Sequence, residues 1–226
     1  MNNKNVEIVV ARYNENLNWL DEYPFNQFVY TVYNKGINQE FNKTNVSKII
    51  DLPNVGRCDH TYLYHVVENY NNLAPITVFF PGSIDCMEGK KNNAIRILEN
   101  IKKYKKAIFL GTNCGNVKTH FDTFTLDNWH CSNSDNRELH PESILSPAII
   151  RPFGNWFKYH FGNISVKYYC IHGILSIHKF DIIKHPLIRY QILINTLDKS
   201  SNPEVGHYIE RSWAAIYHPL LFTKII

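Results

Sequence analysis

No stretch of this 226-residue chain stays apolar for the roughly 20 residues that a membrane-spanning helix needs. The opening Met1-Asn2-Asn3-Lys4-Asn5 lacks the apolar core of a signal peptide. The cysteines (Cys58, Cys86, Cys114, Cys131 and Cys170) are odd in number, widely scattered and form no CxxC pair. Together these absences lead us to expect a cytoplasmic chain with reduced thiols and no membrane span. A long Lys/Arg run is also missing. The densest basic cluster, Lys102-Lys103-Tyr104-Lys105-Lys106, closes a predicted helix, where cations complement the helix dipole. A net charge of +4 without a basic face argues against nucleic acid as a partner, though it favours an anionic small ligand. There is no HExxH, and His60 and His65 stand five apart, which keeps them off one helix face. No internal repeat or low-complexity linker divides the chain, so a single domain over residues 1–226 is expected.

What is present reads as a globular α/β protein. Hydrophobic residues make up 44% and charged residues 19%, enough to form a core. Short apolar or β-branched runs at 6–11, 28–33, 76–80 and 107–110 read as strands, each stopped by polar or Pro/Gly residues. Between them, Tyr62, Leu63, Val66, Val67 and Tyr70 form one helical stripe, and Ala94, Ile97, Leu98, Ile101 and Tyr104 another. Strands alternating with helices predict a mostly parallel central sheet flanked by helices. Residues 112–163 are rich in Asn, Ser, Asp, His and Pro, and are expected to form a long irregular excursion. Beyond it, residues 165–177 read as a β-hairpin, 182–197 as a helix bending at Pro186, and 204–217 as a last helix.

In an open parallel sheet, ligands bind beyond the carboxyl ends of the strands. That rule selects Arg12-Tyr13-Asn14-Glu15-Asn16 after the first strand, Asn34-Lys35 after the second, and the Pro81-Gly82-Ser83-Ile84-Asp85 segment after the next. Tyr13 suits stacking on a base, and Asn14 and Glu15 suit its edge or a ribose. Equally, Asn14-Glu15-Asn16 suits the cap of a helix carrying Leu17, Trp19 and Leu20. Asn54-Val55-Gly56-Arg57 opens a predicted helix; its free N–H groups and the Arg57 guanidinium suit phosphate oxygens. Glu210 and Arg211 lie on the last helix, as a candidate base and anion stabiliser, or else as a surface ion pair.

These strings resemble a protein family spread over fungi, bacteria and large DNA viruses. The shared segments are VVARYNENLNWL, YNKG, DLPNVGRCDHTYLYHVVENYNNL, ITVFFPGS, HGILSIHKFDIIKHPLIRYQILINTL and GHYIERSWAAIYHP. The order of elements in turn resembles GT-A glycosyltransferases, including viral capsid-decorating ones. The resemblance implies a GT-A-like, Rossmann-like fold with a nucleotide-binding half (1–111), an irregular insertion (112–163) and an acceptor and catalytic half (164–226). It implies a nucleotide-diphosphate sugar donor, UDP- or GDP-linked, and a glycan or glycoprotein acceptor. Arg12, Tyr13, Asn14, Glu15, Asn34, Lys35, Asn54, Gly56, Arg57 and Ser83 would bind the donor, and Glu210 with Arg211 would be catalytic. The segment 80–85 occupies the place of the family's metal-binding DxD without being one, leaving Asp85, with His172, as ligands of Mn²⁺ or Mg²⁺. Asp181 is a second candidate base or a cap. A viral source would place the enzyme in host cytoplasm. Two other readings stay open: a non-catalytic nucleotide- or carbohydrate-binding module, and a hydrolase with zinc held by His130, His140 and His160.

Overall fold

The computed structural model describes residues 5–127 and 145–226. Its centre is a five-stranded sheet built from β1 (Val6–Arg12), β2 (Tyr30–Asn34), β3 (Val46–Asp51), β4 (Ile76–Pro81) and β9 (Leu175–His178), in the order β3-β2-β1-β4-β9. The first four run parallel, and β9 pairs antiparallel with β4. Alternate side chains of one strand enter opposite cores, as a pleat with period two requires. Val9 and Ala11 of β1 join Tyr33 and Phe79 on one face, whereas Ile8 and Val10 join Val32, Val78 and Phe80 on the other.

The helices cover both faces. α1 (Arg57–Glu68) connects β3 to β4 and buries Tyr62, Leu63 and Val66 in the first core. α2 (Glu88–Tyr104) lays Ala94, Ile97, Leu98 and Ile101 on the second and ends at Lys105 in a left-handed conformation (φ 54°). The short strands β5 (Ile108–Phe109) and β6 (Thr112–Asn113) follow, then α3 (Val117–His120), β7 (Leu145–Ser146), α4 (Phe153–Phe161) and β8 (Tyr168–Tyr169). After β9 come α5 (Lys179–Ile183), α6 (Leu187–Ile194), β10 (Asn202–Pro203), α7 (Glu204–Ile216) and β11 (Lys224–Ile225). No helix among the described residues is long and apolar enough to cross a membrane.

The structure corrects three expectations. The stretch 165–177 is no hairpin, because β8 pairs with β6 while β9 pairs with β4. Alternation along a strand marks the strand but not its partner. The predicted bend at Pro186 is a full break between α5 and α6, since Pro186 lacks an N–H and caps α6 with extended backbone (φ −66°, ψ 147°). The segment 112–163 is less irregular than expected, carrying α3 and α4 among its described residues. β3 has no counterpart among the predicted strands. It is an edge strand, largely exposed, and so carries little apolar signal.

Candidate functional site

Strand order reverses direction at β1, whose neighbours β2 and β4 carry the chain away to opposite sides. A crevice therefore opens beyond the carboxyl ends of β1 and β4, where such sheets bind ligands. Its floor is a set of interlocked loops. Arg12, fully buried, donates from Nη1 to Asn34 Oδ1 (2.5 Å) and the Asn38 carbonyl (2.7 Å), and from Nε to the Glu15 carbonyl (2.7 Å). Asn34 in turn donates to Gly36 O (2.9 Å) and Asp51 Oδ1 (3.2 Å). Only glycine fits at position 36, because a Cβ there would lie 1.5 Å from the Tyr13 carbonyl oxygen. Trp19, edge-on to Phe25, Tyr30 and Phe80, donates from Nε1 to the Gly82 carbonyl (2.8 Å) and so ties the loop after β4 to the loop after β1. Each such aromatic pair contributes about 0.5–1.5 kcal/mol beyond its buried area.

The entrance to α1 forms the second wall. Gly56 and Arg57 both take positive φ (62° and 54°), and no side chain caps the helix. The Gly56 N–H instead donates to Ser200 O (2.7 Å) and the Arg57 N–H to Ser201 O (3.3 Å). From below, Lys35 Nζ donates to the carbonyls of Val55 and Arg57, both at 2.5 Å. Burial pushes the Lys35 amine down to about 7. Its neutral form keeps two N–H bonds, enough for two carbonyls.

On this frame α1 and α7 bring a charged cluster together. Asp59, buried in the first turn of α1, faces α7, with Oδ2 3.7 Å from where a Cβ on Gly206 would stand. Burial, and then the negative charge of Glu210, push its carboxyl well above the ordinary range, while Arg57 offsets part of that rise. Arg57 Nη1 lies 2.7 Å from His207 Nε2 and 3.5 Å from Asn202 Oδ1. Burial, with the charges of Arg57 and Arg211, drives the His207 imidazole down to about 2, so the ring is neutral and accepts from the guanidinium. Arg211 donates from Nη1 to His207 O (2.9 Å), lies 3.7 Å from Glu210 Oε2 and stacks over Phe124 at 4.2 Å. Asp59 Oδ1, Asn202 Nδ2, Arg211 Nε and His172 Nδ1 are buried without a hydrogen-bond partner among the described residues. Such groups call for a partner from outside the chain, water included.

The third wall is the loop after β4 with the start of α2. Lys90, buried, donates from Nζ to Ser83 Oγ (2.9 Å) and lies 3.7 Å from Cys86 Sγ. Glu15 accepts from its neighbour's backbone, Tyr13 N–H, at 2.7 Å, and abuts Gly82. Burial raises the Glu15 carboxyl, and the Lys90 and Arg12 charges partly oppose that rise. Opposite, His172 and Gly173 turn with positive φ (70° and 66°) against Cys58, held by Tyr62 Oη donating to Gly173 O (2.7 Å).

Arg57, His172, Glu210 and Arg211 thus fall in one charged cluster with Asp59, and Glu15 and Ser83 join it through Lys90; Gly56 stands beside Arg57. Arg12, Asn34 and Lys35 lie beneath the crevice, with their polar groups largely engaged by the chain. Tyr13 and Asn14 are half-buried on the first loop, and Asn54 is exposed before α1. Asp181 is buried away from the crevice and accepts from the N–H groups of Leu221, Phe222 and Thr223, a structural anchor for the C-terminal segment. His130 and His140 lie outside the described residues; His160 sits on α4 against Trp156. Asp59, Lys90, Asn202 and His207 are the members that the sequence reading did not single out. Asp85, the expected metal ligand, is exposed on the 3-10 turn Ile84–Cys86. Among the described residues no three His, Cys, Asp or Glu side chains gather into a metal-holding group. Mg²⁺ and Mn²⁺ take hard oxygen ligands, often one or two carboxylates completed by waters and substrate phosphates, and Asp85 with His172 forms no three-residue group of this kind among the described residues.

No curated protein and no solved structure matches the chain. The model of the family described as a protein of unknown function (DUF3431) matches residues 8–221, nearly the whole chain, which therefore belongs to that family.

Proposed function

We propose that the chain is a GT-A-like glycosyltransferase that moves a sugar from a nucleotide diphosphate, UDP or GDP, to a hydroxyl of a glycan or protein. The observation that carries this reading is the meeting of a carboxylate pair, Asp59 and Glu210, with Arg57 and Arg211 beside the crevice between β1 and β4. The loop after β1 offers Tyr13, Asn14 and Glu15 to the nucleoside. Glu210, with 15% of its side chain exposed, is the more accessible carboxylate and takes the proton of the acceptor hydroxyl. The hydroxyl oxygen forms its bond to the anomeric carbon as the bond to the diphosphate oxygen breaks. The nucleoside diphosphate leaves with the electron pair against the two guanidinium groups.

The test pairs donor binding with turnover. UDP or GDP should raise the melting temperature, and Glu210→Gln should keep that rise while losing at least 100-fold in sugar transfer. If no nucleoside diphosphate shifts the transition, the reading fails; unchanged turnover in the variant removes Glu210 from the mechanism. A non-catalytic binding module is the second reading, favoured by the engagement of Arg12, Asn34 and Lys35 within the chain's own bonds. It expects ligand binding without transfer.

A further inference from the structure

Lys90 is the least expected charge in the crevice. Its residue is 8% exposed, its Nζ touches only a hydroxyl and a thiol, and no carboxylate among the described residues pairs with it. The next residue shows the contrast, since Lys91 reaches Glu22 at 2.6 Å across an open surface. The Glu15 carboxylate feels the Lys90 charge without standing in ion-pair contact, and a buried ammonium without a paired counter-ion is costly. Its charge acts on Glu15, Cys58 and His172, and that of Glu210 acts on the last two, so Lys90 looks into the same crevice as α7. It hangs directly behind the loop after β4, where the resemblance leads one to expect a divalent ion. Of the two carboxylates at that loop, Asp85 is exposed, and Glu15, which abuts Gly82, already accepts from the Tyr13 N–H.

We propose that the crevice binds a diphosphate without a divalent cation, using the Lys90 ammonium together with the Arg57 and Arg211 guanidinium groups. The inference rests on the transferase reading for the identity of the donor, but not for the chemistry of the anion. Three cations meet the two to three negative charges of a diphosphate, and a lysine supplies a compact charge where a metal would bridge oxygens. The Ser83 hydroxyl orients the ammonium through the 2.9 Å bond.

Inorganic pyrophosphate, titrated calorimetrically in EDTA and again in excess Mg²⁺, is the probe. The expected result is binding in EDTA that Mg²⁺, which complexes pyrophosphate itself, does not strengthen. Lys90→Met should weaken it at least tenfold, and Lys90→Arg should retain most of it. Lys90→Met keeps the apolar stem and removes a buried charge, so its melting temperature should hold or rise, which separates a lost site from a lost fold. If both Lys90 variants unfold, Arg211→Met carries the same tenfold expectation. Binding that requires Mg²⁺ overturns the inference and leaves the transferase reading standing. Binding in EDTA with no transfer from any nucleotide sugar does the reverse. No binding in either condition overturns both.

Discussion

Replacing Glu204 by glutamine removes one charge and no volume, yet should be among the most damaging conservative changes in the chain. The carboxylate opens α7, is fully buried, and spends both oxygens inside the protein. Oε1 accepts from Leu126 N–H (2.6 Å) and from Tyr208 Oη (2.9 Å); Oε2 accepts from Ala148 N–H (2.8 Å) and lies 2.8 Å from Arg151 Nε. One side chain thereby fastens residues 126 and 148 to the helix that carries Glu210 and Arg211. A glutamine must turn its NH₂ toward one of those two backbone donors, so in either orientation a buried N–H loses its acceptor and meets another donor. Losing one charge-assisted bond removes about 1.5–3 kcal/mol, and the stranded donor adds about 1–3 kcal/mol. The sum, about 2.5–6 kcal/mol, brackets the about 3–5 kcal/mol usual for stripping one partner from a buried ionic network, which is the range expected here. At about 2–4 °C per kcal/mol for a chain of this size, the melting temperature should fall by roughly 6–20 °C. Urea unfolding followed by circular dichroism gives the number directly, with the slope unchanged. Glu210→Gln, on the same helix, where the carboxylate is 15% exposed and its ion pair to Arg211 is long at 3.7 Å, serves as the control and should cost less, about 1 kcal/mol. A loss below about 1 kcal/mol for Glu204→Gln would refute the reasoning.

Two further predictions concern titration. Lys35 has its folded value lowered to about 7 from an ordinary 10.5, so the unfolded chain binds the extra proton between those limits and wild-type stability should rise with pH across that window, by at most about 1.4 kcal/mol per unit. Lys35→Met abolishes that term; denaturation at several pH values from 7 to 10 should show the wild type gaining on the variant, and a pH-independent difference would contradict it. Asp59 is the opposite case, a carboxyl with a raised folded value, whose contribution is complete in acid and is lost as pH rises through that value. Asp59→Asn should therefore be at least as stable as wild type at pH 8 while losing sugar transfer, and a clearly lower melting temperature at that pH would count against a raised Asp59 carboxyl.

Apolar strands and helical stripes were plain in the sequence because the β1 and β4 runs are buried on both faces and α1 and α2 on one. What the sequence withheld depends on distant partners. Edge strand β3 (VSKIID) offers neither alternation nor burial, and β8 and β9 look like one hairpin until each finds a different neighbour. The insertion conceals α4, whose Phe153, Trp156 and Phe157 pack against Tyr208 of α7 or join the same core. Of the loop residues, Arg12, Asn34 and Lys35 are polar for the sake of the loops themselves. Nothing in their local sequence distinguishes a side chain that holds a loop from one that holds a ligand.

Asp59 and Lys90 were missed for a different reason, and their signal was present. Asp59 precedes Tyr62, Leu63 and Val66 by three, four and seven residues, so it lies in phase with the apolar stripe of α1. Lys90 precedes Ala94, Ile97 and Ile101 by four, seven and eleven, in phase with the stripe of α2. Reading the first turn of a helix as a solvated cap assigns such charges to water, and both are instead buried. A charge on the inward face near a helix start has no solvent to turn to, since the stripe behind it is committed to the core. It is retained only where the sheet leaves a polar opening, and in this topology that opening is the crevice between β1 and β4. The two charges have opposite sign and lie on helices that cover opposite faces of the sheet, yet both reach the same edge. Their burial out of ion-pair contact with each other leaves Lys90 beside Ser83 and Cys86 and Asp59 facing Glu210, a separation of charge that the proposed transfer would use.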